Sequence, residues 1–160
     1  MASYFLNIQD LPGESRDDEY AGHIEVLDFE NRVQQKANPS AGGMTDAHCD
    51  HTPLKVKKMI DKASPQLAQW CSQGQPIGTV TLFLRRATGA EPHTYMKYEL
   101  TDVVVASLSV DGVTEESKVP TETVEFRYDT IKWTYNEQGL DHSAGGNTTG
   151  GWSISKHKAI

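Results

Sequence analysis

The sequence is short of several things at once. Its 160 residues include only two cysteines, Cys49 and Cys71, too few for the disulfide framework that supports many small secreted domains. Bases are outnumbered, 15 Lys and Arg against 22 Asp and Glu. They are also scattered, so no cationic stripe exists to displace counterions from a nucleic-acid backbone, and no nucleic-acid partner is expected. No apolar run approaches the roughly 20 residues of a membrane span, so no membrane insertion is expected. The first basic residue is Arg16, and the preceding stretch has neither a long apolar segment nor a small-x-small cleavage pattern. This reads as a chain made in the cytoplasm without a signal peptide. Apolar residues make up 37%, slightly lean for a globular domain. One domain over residues 1–160 is expected, with part of its burial completed by a partner.

What is present is mostly strand pattern. Tyr4, Leu6 and Ile8 alternate on one face of a first strand. An acidic connection with Pro12-Gly13 and Asp17-Asp18-Glu19 follows, and then a second strand of imperfect phase from Ile24 to Val33. Residues 34–52 contain Asn38-Pro39 and Gly42-Gly43 and read as a loop far longer than ordinary strand connections. Leu54, Val56 and Met59-Ile60 among Lys55, Lys57, Lys58 and Lys62 suggest a short strand with a basic face. The one helix is predicted over about residues 65–73: Ser64 as N-cap, Pro65 in the first turn, Leu67, Trp70 and Cys71 on one face, Gly74 at the end.

Beyond Pro76 the pattern is strongly β. Val80, Leu82 and Leu84 alternate up to Arg85-Arg86, before a turn at Thr88-Gly89-Ala90. From Thr94 to Val110 the even positions Met96, Tyr98, Leu100, Val104, Ala106, Leu108 and Val110 form one apolar face, broken by Asp102, where a bend is expected. The apolar phase slips again between Val124, Phe126, Tyr128 and Ile131, Trp133, Tyr135, which predicts a bulge near Asp129-Thr130. Five glycines between residues 139 and 151 read as a flexible turn before a short strand at Trp152-Ser153-Ile154. The fold expected is mainly β, a small antiparallel barrel or sandwich with one short flanking helix.

No catalytic constellation emerges. His48-Cys49-Asp50-His51 is consecutive, whereas structural zinc sites use spaced ligand pairs, so a solvated loop is the better reading and no metal or cofactor is expected. Cys71 on an apolar helix face reads as a buried, inert thiol. Ser153-Ile154-Ser155-Lys156 matches SxxK without the helix start or companion motifs of serine-lysine acylases. The glycine-rich residues 145–151 lack the ending of a phosphate cradle. Acidic pairs such as Asp17-Asp18 read as solvated charge. Charge is instead asymmetric: residues 1–33 hold eight acids against Arg16 and Arg32, while residues 54–62 hold four lysines against Asp61. Such a surface can pair head to tail with its copies, although solvated faces explain it equally well.

Gly13-Glu14-Ser15, Ile24-Glu25-Val26-Leu27, Asp61-Lys62-Ala63-Ser64-Pro65-Gln66-Leu67, Tyr98-Glu99-Leu100-Thr101-Asp102-Val103, Ile131-Lys132-Trp133-Thr134-Tyr135 and Gly151-Trp152-Ser153 occur in that order. In this order and spacing the sequence resembles the haemolysin-coregulated protein (Hcp) family, the inner-tube subunit of bacterial type VI secretion systems. The resemblance implies a barrel with a flanking helix, no enzymatic activity, and hexameric rings stacked into a hollow tube. It implies as partners the chain itself, a spike protein, sheath and baseplate components, and effectors in the lumen. The chain would be cytoplasmic until assembled and then expelled. The long loop corresponds to a ring-stacking loop, here with Pro39, Gly42, Gly43, Asp46, His48 and His51. Lys55, Lys57 and Lys58 are expected to face Asp17, Asp18 and Glu19 of a neighbour. A ring-shaped effector carrier, or more distantly a small metal-dependent barrel enzyme, are the alternatives.

Overall fold

The computed structural model describes residues 4–35, 49–86, 92–112, 114–115, 119–138 and 144–160, and structural statements below refer to these. In chain order the elements are β1 (Tyr4–Ile8), β2 (Ile24–Val26), β3 (Asp28–Glu30), β4 (Val33–Gln35), β5 (Cys49–His51), β6 (Leu54–Met59), α1 (Ser64–Gln73) and β7 (Pro76–Arg86). They continue with β8 (His93–Asp111), β9 (Thr121–Arg127), β10 (Thr130–Gln138), β11 (Ala144–Ser153) and β12 (Lys158–Ala159).

Every strand pair is antiparallel. β1 lies between β2 and β7, β7 beside β8, and the second half of β8 beside β9, which leads through β6 to β3. β2 and β3 are separated only by Leu27, whose N–H donates to the Lys57 carbonyl at 2.8 Å. The sheet therefore closes on itself, and closure removes the open edges that invite aggregation. The first half of β8 pairs instead with β10, which carries β11 and β12 outward as an extension of the barrel wall. Leu6, Ile24, Leu54, Val56, Leu82, Val103, Val124 and Phe126 fill the interior.

β8 can serve both sheets because its phase slips. Asp102 has φ 52°, a left-handed conformation that Asp tolerates better than most side chains. Opposite, β7 is irregular around Gly78, whose φ is 80°. Before the slip Leu100 points inward; after it Val103 and Val105 do. The expected apolar face at Val104, Ala106 and Val110 is thus corrected: Val104 is half-buried, and Ala106 and Val110 are exposed. A second register shift between Val105 and Ser107 returns Leu108 toward the core.

The slip expected near Asp129-Thr130 is present as a full break. β9 and β10 are separate strands that line successive halves of β8, and the Asp129 N–H donates to the Thr101 carbonyl at 3.1 Å. The second expected strand is likewise three, β2, β3 and β4, with Leu27 at the corner between barrel neighbours. The glycine-rich stretch is a strand, β11, rather than a turn. A Cβ at Gly151 would stand 3.2 Å from the Ile131 carbonyl oxygen, so glycine lets β11 lie close to β10. The turn at Thr88-Gly89-Ala90 lies outside the described residues.

The helix begins at Ser64 with Ala63, not Ser64, at the N-cap, and it has no side-chain cap. Asp61 Oδ1 accepts the Ala63 N–H at 2.9 Å, while the Ser64 hydroxyl is used elsewhere. Gly74 in the left-handed region ends it, with the Gln75 N–H donating to the Trp70 carbonyl, the pattern of a Schellman cap. Leu67 is fully buried, and Trp70 and Cys71 pack beside it.

Candidate assembly surfaces

The charged residues expected to meet a neighbour divide sharply. β6 alternates, with Leu54, Val56 and Lys58 pointing in and Lys55, Lys57 and Met59 pointing out. Lys58 is therefore corrected from surface to interior, at 0% exposure. Its ammonium donates to Asp61 Oδ1 at 2.8 Å and forms an ion pair with Glu122 on β9. The Ser64 hydroxyl donates to Glu122 Oε1 at 2.6 Å and accepts the Asp61 N–H at 3.0 Å. One buried knot thus joins β6, β9 and the start of α1. A buried charge is tolerated only when paired in this way.

Lys55 and Lys57 are exposed, yet they are not a basic face. In register they stand opposite Glu30 and Asp28 of β3, and Lys55 also opposite Glu125 of β9. On the other side, Asp17 is held by its own chain. Arg85 donates to both its carboxylate oxygens, at 2.8 and 2.5 Å, and this pairing lowers the Asp17 pKa to about 2. The reading of Asp17 as solvated charge is corrected accordingly. Glu19 lies 3.6 Å from the same guanidinium, half-exposed, and Asp18 is exposed.

Of the expected stacking residues, Pro39, Gly42, Gly43, Asp46 and His48 lie outside the described residues. His51 is in β5, paired with Val33 of β4, so both ends of the long loop are zipped together. Its ring stacks on Trp133 at 6.4 Å and meets Tyr128 edge-on at 6.0 Å, with Nδ1 3.3 Å from the Tyr128 hydroxyl. That hydroxyl donates to the Thr52 carbonyl and accepts from the Asn31 amide. Burial lowers the His51 pKa. Among the described residues no three His, Cys, Asp or Glu side chains are placed to hold a metal ion.

Sequence reasoning missed the apolar surface. Leu27, Met59, Ile60 and Val119 are each between 42% and 56% exposed and line a single groove of about 560 Å³ together with Glu14, Ser15, Arg16, Glu25 and Asp61. Unbroken alternation at Leu54, Val56 and Lys58 would have turned Lys58 inward and Met59 outward. No periodicity reveals that Leu27 sits at a corner.

A family model described as type VI secretion system effector, Hcp, matches residues 5–135. The chain belongs to the Hcp family. It is similar to the protein Hcp1 of Pseudomonas aeruginosa strain PAO1, 31% identical over 155 residues, 96% of this chain and 95% of that one. It is similar also to the crystal structure of Hcp1 from Salmonella typhimurium, with 34% identity, TM-score 0.82 and all of both chains covered. The structure of a type six secretion system protein gives 30% identity and TM-score 0.91, again over all of both chains. Hcp proteins are secreted, self-associating structural components of type VI secretion rather than enzymes. No helix among the described residues is long and apolar enough to cross a membrane.

Proposed function

We propose that this chain builds hexameric rings that stack into a hollow type VI secretion tube, and that the tube carries effector proteins in its lumen. In this reading it works with a spike protein, a sheath and baseplate components, and it is cytoplasmic until assembly and then expelled. The observation that carries the reading is the match over the full length of both chains to solved Hcp and type VI structures. The groove of exposed apolar side chains supports it, because such surface on a small domain marks an interface. β4 and β5 pair at the two ends of the long loop, which suits a contact between rings. Exposed Lys55 and Lys57 are available to Asp18 and Glu19 of a neighbour as peripheral pairs, worth little individually.

The test is native mass spectrometry at low and moderate salt. A species near six times the 17.7 kDa chain that survives added salt supports a ring held by apolar and backbone contacts. A single-chain mass under both conditions overturns it.

A further inference from the structure

We propose that Asp111-Gly112, at the outer end of β8, is a site of spontaneous chain modification, where the aspartate converts to isoaspartate through a cyclic imide. The inference stands on this corner of the barrel and does not depend on the ring reading.

The chemistry is internal to the chain and turns over only water. The Gly112 backbone nitrogen attacks Asp111 Cγ and an N–Cγ bond forms. The nitrogen's proton and the carboxyl hydroxyl leave as water, which closes a five-membered imide. Water then opens the ring. Cleavage between the nitrogen and Cγ restores aspartate, whereas cleavage between the nitrogen and the Asp111 main-chain carbonyl leaves the backbone running through the side chain. Nothing is oxidised or reduced.

The attack needs an uncrowded nitrogen and a backbone free to leave the extended state, in which the nitrogen and Cγ stand apart. Asp111 meets the first need, because no other aspartate or asparagine in the sequence precedes a glycine. A Cβ built on Gly112 would meet nothing within 4 Å, so no neighbour restrains a residue that already turns freely. The second need is met by position. Asp111 is the last residue of β8 and stands opposite Thr121, the first of β9. The ladder ends at this pair, and strand ends open at little cost. Ser109, Val110, Asp111 and Gly112 are all exposed.

Other aspartates are withheld from the same reaction. Arg85 holds Asp17, Lys58 and the Ala63 N–H hold Asp61, and Ser155 holds Asp129. The amide after Asp18 donates to Asp17 Oδ1 at 3.0 Å. Asp102 is exposed, but Val103 after it is β-branched and buried. Among the described residues the Asp111 carboxylate has no such partner.

The product bears on the knot beneath. Isoaspartate adds one carbon to the backbone next to the pair Val110 and Glu122, and Glu122 is the buried counter-ion of Lys58. The end of β8 should loosen there.

The test ages the folded chain beside the same chain unfolded in guanidinium chloride, both at neutral pH. The tryptic peptide ending at Lys118 is then scored for isoaspartate by fragmentation. The folded chain should modify at residue 111 at a rate within about tenfold of the unfolded one, because the end pair opens readily. Gly112→Ala should slow the reaction several-fold in both states, and Asp111→Glu, which would have to close a six-membered imide, should leave that peptide unmodified. Once separated, the isoaspartate form should exchange the amide hydrogens of Thr121 and Glu122 faster than the unmodified chain. A folded chain that modifies more than about tenfold more slowly than the unfolded one overturns the proposal, since the fold would then hold the pair closed. Isoaspartate gathered at Asp102 instead, or an equal rate in Gly112→Ala, overturns it as well.

Discussion

Arg85 holds Asp17 by two parallel hydrogen bonds across 68 positions of sequence. The guanidinium side chain is only 3% exposed, lying 4.8 Å from the Phe5 ring centroid and 5.5 Å from that of Tyr20. Phe5 and Tyr20 stack at 4.5 Å. The acidic connection between β1 and β2 is therefore fastened to the outer face of β7 by a cation enclosed between aromatic rings and a carboxylate. This explains why Phe5, on the face opposite Leu6 and Ile8, is nevertheless fully buried.

The pair makes stability depend on acid in a defined window. Asp17 has its pKa lowered from 3.8 to about 2, chiefly by the hydrogen bond from Arg85. The folded state thus favours the carboxylate, a contribution fully present above about pH 4 and lost as pH falls through about 2. Allowing for partial exposure, it is about 1–2 kcal/mol. Urea denaturation of wild type and Asp17→Asn, followed by tryptophan fluorescence, should differ by that amount at neutral pH and converge near pH 2. A difference independent of pH would mean that the carboxylate charge is not what holds the segment.

The buried knot of Lys58, Glu122, Asp61 and Ser64 predicts strong non-additivity. Lys58→Met alone leaves Glu122 at 1% exposure without its cation and should cost about 3–5 kcal/mol. Lys58→Met with Glu122→Leu removes the fully buried pair, leaves Asp61 with the Ala63 N–H but without its cation, and should recover part of that loss. Additive costs in the double-mutant cycle would show that the two residues act independently. The same geometry means that reversing Lys55, Lys57 and Lys58 together would unfold the chain before it tested any interface. A surface test must therefore keep Lys58.

The fold class was legible because alternation is strict where one face is buried: Leu6 and Ile8, Val80 through Leu84, Val124 and Phe126. The helix was legible from Pro65 and Gly74. What the pattern could not carry was pairing. Asp102 was visible as the one polar break in an apolar face, but extending the even positions past it required that the strand stay in phase. The left-handed residue there does the opposite and turns Val103 and Val105 inward. Glycines at 150 and 151 read as a turn because composition alone does not distinguish a flexible link from a strand, and only at Gly151, where a Cβ would stand 3.2 Å from the Ile131 carbonyl oxygen, does a neighbour require glycine. Lys58 was misplaced for a related reason, since lysine is so seldom buried that residue type outweighed position. Of the candidate surfaces, the sequence exposed the charge asymmetry but not which charges are already spent within the chain.

Asp102 yields a local prediction. With φ 52° and an exposed side chain, Asp102→Gly relieves backbone strain at the cost of a freer unfolded chain, and the two effects should nearly cancel. Asp102→Val places a β-branched side chain in the left-handed region and should destabilise by about 1–2 kcal/mol. Equal denaturation midpoints for the two variants would show that the slip in β8 does not depend on that conformation.

His51 is the titrating group at the base of the long loop. Burial lowers its pKa below the usual 6.5, so the docked hairpin of β4 and β5 favours the neutral ring. An opened hairpin takes up a proton first as pH falls below 6.5, and docking weakens from there down to the depressed pKa of the docked ring, then levels off. The groups around it are Tyr128, kept neutral because burial raises its pKa, Arg127 beside it in the same pocket, and Cys49 and Asp50 on its own strand. Hydrogen exchange at the amides of residues 33–35 and 49–51 should therefore speed up as pH falls below 6.5, after correction for the intrinsic rate. His51→Phe keeps a ring to stack on Trp133 and removes the titration, so its corrected exchange should be flat over that range. A wild type equally flat would place the imidazole outside the forces that hold the hairpin to the barrel.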